Sequence, residues 1–341
     1  MAECRNKFCK KNRRCACKMT VEDKLKEKIN EIIDDLDLLV GYSASELPLK
    51  VNPVFIKNRE DVKNLVFNKL CINNLATYIY NLSKKIKGTA GIVLKPCDAS
   101  SVIQLLSEGL LDREKTRMIV AGCSGVFDYK KIQKHLGGQK IISLELENGN
   151  LEVGTINKKN TLKAADFYAD KCYWCQIYNK PPLYDDFIEN DQEPGIQPAD
   201  KYADLEIIES KSIEEIMNYW DGQFSRCIRC YACRNVCPLE ICQDRCITNL
   251  DEPYWQSQRI NTQEGKFFQM IRVMHLAGRC TECGECERAC PKNIPLAKLM
   301  KKSAQIVERL FDYKAGQEID KKPPFLTFKD VEQNIKEENL S

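Results

Sequence analysis

Cysteine is the residue type with the most chemical potential in this chain of 341 residues, which contains 19 of them. Two stretches, 227–238 and 280–291, share the spacing C-x2-C-x2-C-x3-C-P. This run is typical of bacterial two-cluster ferredoxins, in which the fourth cysteine binds the other cluster of the pair. The spacing therefore predicts two 4Fe–4S clusters. One would be held by Cys227, Cys230, Cys233 and Cys290, and the other by Cys280, Cys283, Cys286 and Cys237.

Zinc is the alternative metal for these two runs, because paired C-x2-C segments can also supply four thiolates to a tetrahedral ion. A zinc motif needs only two such pairs. It does not need a third cysteine at the same spacing or a fourth cysteine before proline. The repetition of the complete run favours 4Fe–4S clusters over zinc.

The segments around the two runs have helical patterns. Residues 262–277 carry apolar side chains at 267, 270, 271, 274 and 277, and Gly278 is placed to end that helix. A second amphipathic helix is predicted from Leu296 to Leu310. Over residues 220–312 the chain resembles the α-helical ferredoxin of heterodisulfide reductase small subunits and succinate dehydrogenase iron–sulfur subunits.

An α/β pattern precedes this region. A short strand at 91–94 is followed by a helix that Asp98 is placed to cap, and a second strand lies at 118–121. Two cysteines follow these strands at their carboxyl ends, where parallel sheets place their ligands, and a C-x2-C pair comes later. These four thiols would be enough for a third cluster, the alternative being buried thiols without metal at the strand ends. They belong to Cys97, Cys123, Cys172 and Cys175.

Residues 88–190 resemble the beta subunits of deazaflavin-coenzyme (F420) hydrogenases and dehydrogenases. Lys-Pro-Cys-Asp at 95–98 is similar to the family's G-x-P-C element, and Ala-Gly-Cys-Ser-Gly at 121–125 is similar to its C-x-G element. The resemblance implies a 4Fe–4S cluster held by some or all of the same four cysteines. Members that use the deazaflavin bind FAD through a Gly-Gly-x-x-Thr element, whereas this chain has no glycine at 73–78. FAD is therefore an alternative that the sequence does not favour, and no other nucleotide-binding motif is present.

Six further cysteines outside these sets could bind metal. Four lie in a basic N-terminal segment and could hold a cluster or zinc, or could be thiols of an unstructured tail. Two follow the first run closely and could ligate another centre or pack as ordinary thiols. These six are Cys4, Cys9, Cys15, Cys17, Cys242 and Cys246. The isolated Cys71 is predicted to be a core residue.

Composition limits the remaining possibilities. The net charge of +3, with 43% apolar residues, gives no case for nucleic-acid binding, and no apolar run suits a membrane span. Without an export signal we expect a cytoplasmic protein with reduced thiols. Thr20 and Asp23 predict a capping box that opens a helix over 21–39.

The predicted fold is therefore an α/β domain with a parallel sheet, followed by an all-α two-cluster ferredoxin domain. Five segments follow from the patterns. They are a basic cysteine-rich segment (1–20), the α/β domain with a cysteine-ligated cluster (21–190), a linker (191–210), the α-helical ferredoxin domain (211–315) and a polar tail (316–341).

No catalytic constellation is visible, so clusters without a substrate site predict electron transfer. The resemblances imply an iron–sulfur subunit of an anaerobic redox complex, relaying electrons between a flavoprotein or heterodisulfide-reductase-like subunit and a formate dehydrogenase or hydrogenase. The alternatives are an FAD-dependent oxidoreductase of the deazaflavin type and a structural or sensory zinc protein. Partner-facing or core residues are expected among Trp174, Trp220, Tyr231 and Trp255, with arginines at 226, 229, 234, 279 and 288 near the runs.

Overall fold

The computed structural model describes most of the chain. The described residues are 19–45, 50–175, 177, 180–190, 196, 199–239, 246–248, 255–257 and 259–328. Within those ranges, no helix combines the length and the apolar character that a membrane span requires.

A five-stranded sheet forms the centre of the α/β region. Its strands in spatial order are β2 (Val51–Ile56), β1 (Leu38–Ala44), β3 (Ala90–Leu94), β4 (Thr116–Ala121) and β8 (Asp186–Ile188). Four of them, β1, β3, β4 and β8, are parallel, and β3 and β4 are the two strands that the sequence predicted. The edge strand β2 is antiparallel to β1, because the connection between them is too short for a parallel crossover. The sheet is therefore mixed.

Three helices lie beside this sheet: α1 (Val21–Ile32), α2 (Ala76–Ser83) and α3 (Pro96–Ser107). The predicted capping box of α1 is confirmed, with the Asp23 N–H donating to Thr20 Oγ1 at 3.1 Å. The predicted helix end at residue 39 is wrong. Leu38 and Leu39 pair with β3 instead, because these apolar residues are buried in the sheet.

A three-stranded antiparallel sheet was not expected from the sequence. It follows α4 (Tyr129–His135) and consists of β5 (Ile141–Glu147), β6 (Asn150–Thr155) and β7 (Lys159–Lys163). Its buried side chains, Leu151 and Val153, pack against Phe127 in a separate small core. Phe127 also packs against Tyr168, four residues before Cys172, with ring centroids 4.7 Å apart.

The rest of the described chain contains helices joined by loops and turns. It comprises α5 (Ala203–Glu209), α6 (Ile213–Phe224), α7 (Ala232–Asn235), α8 (Thr262–Leu276), α9 (Glu285–Arg288) and α10 (Leu296–Phe311). Helices α8 and α10 match the predicted helices, and Gly278 lies just beyond α8 with a φ of +70°. That left-handed conformation suits a glycine at a helix end. The short helices α7 and α9 each lie inside one cysteine run.

The helical region packs directly onto the α/β region. Leu239, Leu276 and Met300 belong to the same apolar core as the five-stranded sheet. Next to the second cysteine run, Arg279 makes a two-pronged ion pair with the buried carboxylate of Glu108, at the end of α3. The cysteines of the two regions are thereby held close together.

Candidate functional site

The two cysteine runs share one backbone conformation. Each run has left-handed backbone angles at two positions. One is the second residue after the first cysteine, and the other directly follows the second cysteine. These residues are Arg229, Tyr231, Glu282 and Gly284, with φ of 49°, 58°, 56° and 74°. The turn directs the Glu282 N–H to Cys280 Sγ at 3.4 Å, and the Arg229 N–H bonds Cys227 in the same way. Such concave arrangements of N–H groups favour negative charge on the enclosed sulfurs.

Four cysteines meet beside α7, and one of them comes from the second run. Burial raises the pKa of the Cys227 thiol, and the hydrogen bond from the Arg229 N–H lowers it. The pKa is raised further by the negative charges of three neighbouring thiolates, which are Cys233, Cys290 and Cys230. Cys233 and Cys290 are buried together with Phe224 and Phe268, whereas Cys230 is exposed. The structure therefore brings Cys290 to the first run, where the sequence predicted it.

A second group of four cysteines gathers beside α9. Burial raises the pKa of Cys280, and the charges of Cys283 and Cys286 raise it further. Burial is also the largest cause of the raised pKa of Cys286, which reaches about 12, and Cys237 from the first run contributes to it. Cys237 is likewise a charged neighbour of Cys283. The last cysteine of each run thus lies with the opposite run.

The third group of cysteines lies where the parallel sheet ends. Cys97 opens α3 after β3, Cys123 follows β4, and the pair Cys172 and Cys175 comes from the turn below the small sheet. All four line one cavity. Backbone N–H groups of Gly125 and Val126 point to Cys123 Sγ and Cys172 Sγ, each at 3.4 Å. Cys97 and Cys123 are partly exposed to this cavity rather than enclosed in the core.

Buried charges surround the third group. Lys95 Nζ lies 2.5 Å from Asp98 Oδ2 and donates to Tyr42 Oη at 2.6 Å, and all three side chains are inaccessible to solvent. Lys171 Nζ approaches the same carboxylate at 3.8 Å but has no hydrogen-bond partner among the described residues. Asp98 was predicted to cap α3. It balances these lysines instead, and α3 has no side-chain cap.

Two ammonium groups and one carboxylate leave an excess of positive charge beside the four thiols. Lys95 and Lys171 both line the cavity that the four cysteines share. A 4Fe–4S cluster with four thiolates is anionic, so this donor set and its charged surroundings fit such a group. In the described part of the chain, no three Cys, His, Asp or Glu side chains are arranged to hold a single metal ion.

A second cavity connects the third group to the second. Its lining includes Cys97, Cys175 and Cys280 together with Lys171. Lys171 is also a charged neighbour of Cys283. The second group therefore adjoins the third group through this cavity and the first group through Cys286 and Cys233, and the exposed Cys230 belongs to the first group.

Several predicted residues lie outside these groups. Cys4, Cys9, Cys15, Cys17 and Cys242 fall outside the described residues. Cys246 is buried, with its sulfur 3.1 Å from Thr248 Oγ1 and no described metal-ligating neighbours. Cys71 is buried in the main core, as predicted, where burial raises its pKa to about 12.

The aromatic residues predicted at a partner surface separate into two kinds. Trp174 is covered by the ammonium of Lys301 at 3.5 Å, and Tyr231 packs against Phe268. Trp255 is 57% exposed and, with Trp220, lines an apolar groove along α8. Trp174 is half-buried and lines the cavity between the second and third cysteine groups instead.

Sequence reasoning missed two polar residues on α8. Gln269 and Arg272 are each only 2% exposed and face the cysteine runs, whereas Met270 and Met274, taken as part of the apolar pattern, are more than half exposed. The helix was predicted correctly, but its apolar spacing does not identify the buried face. A glutamine and an arginine one turn apart, between two cysteine runs, were the available signal.

Comparison with known proteins supports the iron–sulfur interpretation. The sequence model of the 4Fe-4S dicluster domain matches residues 223–294, which include both cysteine runs. Subunit beta of the F420-dependent formate dehydrogenase of Methanocaldococcus jannaschii is 24% identical over 331 residues, covering 80% of this chain and 85% of that protein. This chain resembles the formate dehydrogenase beta subunits.

Two other relatives give more local matches. Subunit beta of F420-dependent formate dehydrogenase 1 of Methanococcus maripaludis is 33% identical over 107 residues, which are 31% of this chain and 26% of that protein. The F420-reducing [NiFe] hydrogenase complex of Methanosarcina barkeri, studied as a xenon derivative, has a chain that matches with a TM-score of 0.34 and 16% identity. That match covers 45% of this chain and 58% of the other. The resemblance to beta subunits predicted from the sequence elements is confirmed by the M. jannaschii relative.

Proposed function

We propose that this chain is the iron–sulfur electron-transfer subunit of an F420-dependent formate dehydrogenase or hydrogenase-type complex. The observation that carries the proposal is the crossed grouping of eight cysteines within the region that matches the 4Fe-4S dicluster domain. A four-thiolate set is what a cubane cluster needs at its corners. Two such sets, each completed by the other run, support a helical domain with two clusters.

The third cluster is part of the same proposal. Cys97, Cys123, Cys172 and Cys175 would hold it in the α/β region, with Lys95 and Lys171 balancing its charge. Cluster potentials span roughly −700 to +450 mV and depend on hydrogen bonds and nearby charge. The N–H groups that point to sulfur in all three cysteine groups are such determinants.

The order of the three groups supports a relay through the chain. Electrons would pass between the α/β cluster and the cluster of Cys280, then to the cluster of Cys227, whose ligand Cys230 is exposed. An exposed edge is where a partner subunit can exchange electrons. The partners we propose are a flavoprotein or heterodisulfide-reductase-like subunit on one side and a formate dehydrogenase or hydrogenase on the other, in the cytoplasm.

The domain organisation proposed is the same as that predicted from the sequence, with an α/β domain over 21–190 and a ferredoxin domain over 211–315. Helix α5 begins inside the segment proposed as a linker. Its Asp204 pairs with the buried Lys301 of α10 at 2.6 Å. That contact ties the end of the linker to the ferredoxin domain.

An anaerobic turnover assay on the isolated chain tests the proposal. Dithionite should bleach the clusters, but formate, hydrogen, reduced nicotinamide or reduced F420 should not reduce an artificial dye through this chain alone. Addition of the partner subunits should restore dye reduction with one of those donors. Rapid dye reduction by the isolated chain would instead favour a flavin-dependent enzyme.

A further inference from the structure

Arg272 is an unusual residue for a protein interior. It is 2% exposed and ranks among the largest fully enclosed side chains of the described structure. An unpaired buried charge is costly, so a buried arginine ordinarily faces a carboxylate. Within the described part of the chain, Arg272 has no carboxylate at ion-pair distance, and its hydrogen bonds go to two neutral oxygens, Gln269 Oε1 and the Cys233 carbonyl.

The surroundings of Arg272 come from both cysteine runs. One guanidinium nitrogen donates to the Cys233 carbonyl oxygen at 3.2 Å, and the Cys286 sulfur is an electrostatic neighbour of the guanidinium. Gln269 fixes the guanidinium by accepting at 3.0 Å and itself donates to Cys233 Sγ at 3.6 Å. Arg272 therefore lies between Cys233 of the first group and Cys286 of the second.

We propose that Arg272 is the counter-cation shared by the two clusters of the helical domain and that it sets their reduction potentials together. The inference rests on the proposed function, because it assigns the compensating negative charge to the two clusters. A fixed positive charge favours the more negative, reduced form of each cluster. In the transfer between them, one cluster loses one electron and is oxidised while the other gains that electron and is reduced. No bond changes and no proton moves.

This arrangement differs from that of the exposed arginines in the same region. Arg226 stands next to Cys227 but is exposed, and its described partner is Gln223. Water and salt screen an exposed charge, whereas a buried charge is screened much less over the same distance. Arg272 should therefore control both clusters, and Arg226 should control neither.

Potentiometric titration followed by EPR, on the intact chain purified without oxygen, tests the proposal. Arg272→Gln should shift both reduction equilibria at least tenfold toward the oxidised form, which is 59 mV for a one-electron couple. Arg226→Gln is the matched control and should leave both reduction equilibrium constants within threefold of those of the parent chain. Arg272→Lys keeps the charge. This variant should bind both clusters, with reduction equilibrium constants within threefold of those of the parent chain.

Gln269→Glu provides a second test that keeps Arg272 in place. The new carboxylate would neutralise Arg272 and should lower both potentials, even if Arg272→Gln fails to load its clusters. It also removes the amide that donates to Cys233 Sγ, so the diagnostic change is the lowered potential of the cluster held by Cys286. Unchanged potentials in Gln269→Glu, a shift in one cluster only, or loss of a cluster in Arg272→Lys would each overturn the proposal. Iron analysis of the parent chain separates this result from failure of the proposed function, which would appear as missing clusters before any substitution.

Discussion

The buried charges beside the third cysteine group give the sharpest prediction for stability. Replacing Asp98 by Asn removes the carboxylate that pairs with Lys95 at 2.5 Å and approaches Lys171 at 3.8 Å. Both ammonium groups then remain in the interior, since Lys95 is 1% exposed and the Lys171 side chain only 11%. The uncharged Tyr42 hydroxyl and Asn73 carbonyl cannot replace a negative charge.

The expected cost follows from the burial of this pair. Breaking a buried ion pair by removing one partner costs about 3–5 kcal/mol. For a domain of this size, 1 kcal/mol corresponds to roughly 2–4 °C in Tm, so the chain without clusters should lose about 6–20 °C. An anionic cluster held by Cys97, Cys123 and their partners would compensate the two lysines. The loss should therefore be less than half as large in the cluster-loaded chain.

Thermal unfolding by far-ultraviolet circular dichroism, without oxygen, measures both values. The matched control is Asp34→Asn, because Asp34 forms an equally short ion pair with Arg59 at 2.6 Å but is exposed. That variant should change Tm little, with or without clusters, since solvated pairs contribute little. Equal losses for Asp98→Asn and Asp34→Asn would refute the assigned role of the buried pair. Equal losses of Asp98→Asn in the loaded and cluster-free chains would refute the cluster beside it.

Three further predictions follow from the same contacts. Cys290→Ser should change the same EPR signal as Cys230→Ser, because both cysteines are assigned to one cluster. If Cys290→Ser instead changed the signal that Cys283→Ser changes, the crossed ligand sets would be refuted. Cys172→Ser in the intact chain should lose about four iron atoms per chain by iron analysis, while full retention would contradict a cluster there. Burial raises the pKa of Asp186, but its two cationic partners outweigh this and lower it. At pH values above the ordinary carboxyl pKa of about 3.9, Asp186→Asn should therefore lower the free energy of unfolding of the cluster-free chain by at most about 1 kcal/mol. This difference should vanish as the pH falls through the lowered pKa of Asp186 in the folded chain. A difference in urea unfolding that persists at lower pH would contradict it.

The sequence identifies features whose signal is local. The cysteine spacing, the capping box at Thr20 and the strands before Cys97 and Cys123 all depend on neighbouring residues, and the structure places each of them as expected. The parallel register of β3 and β4 was predictable for the same reason, because two short apolar strands flank a helix.

Features that depend on distant contacts were not predictable in the same way. The end of α1 is decided by the pairing of Leu38 with Ala90, a contact that no local pattern encodes. Asp98 has the right position for a cap, but the buried Lys95 and Lys171 make an ion pair more favourable. Arg272 is buried because cysteines from two separated runs surround it, and that environment exists only after the chain has folded.

Iron, sulfide, zinc and flavin analysis of the chain purified without oxygen tests the central claim most directly. The account predicts about 12 iron atoms per chain from three 4Fe–4S clusters, or about 16 if the N-terminal cysteines hold a fourth, with matching acid-labile sulfide. Zinc and flavin should be below stoichiometric amounts. One zinc ion per cysteine group in place of iron, or one FAD per chain with fewer than about eight iron atoms, would contradict the account of a multi-cluster electron-transfer subunit.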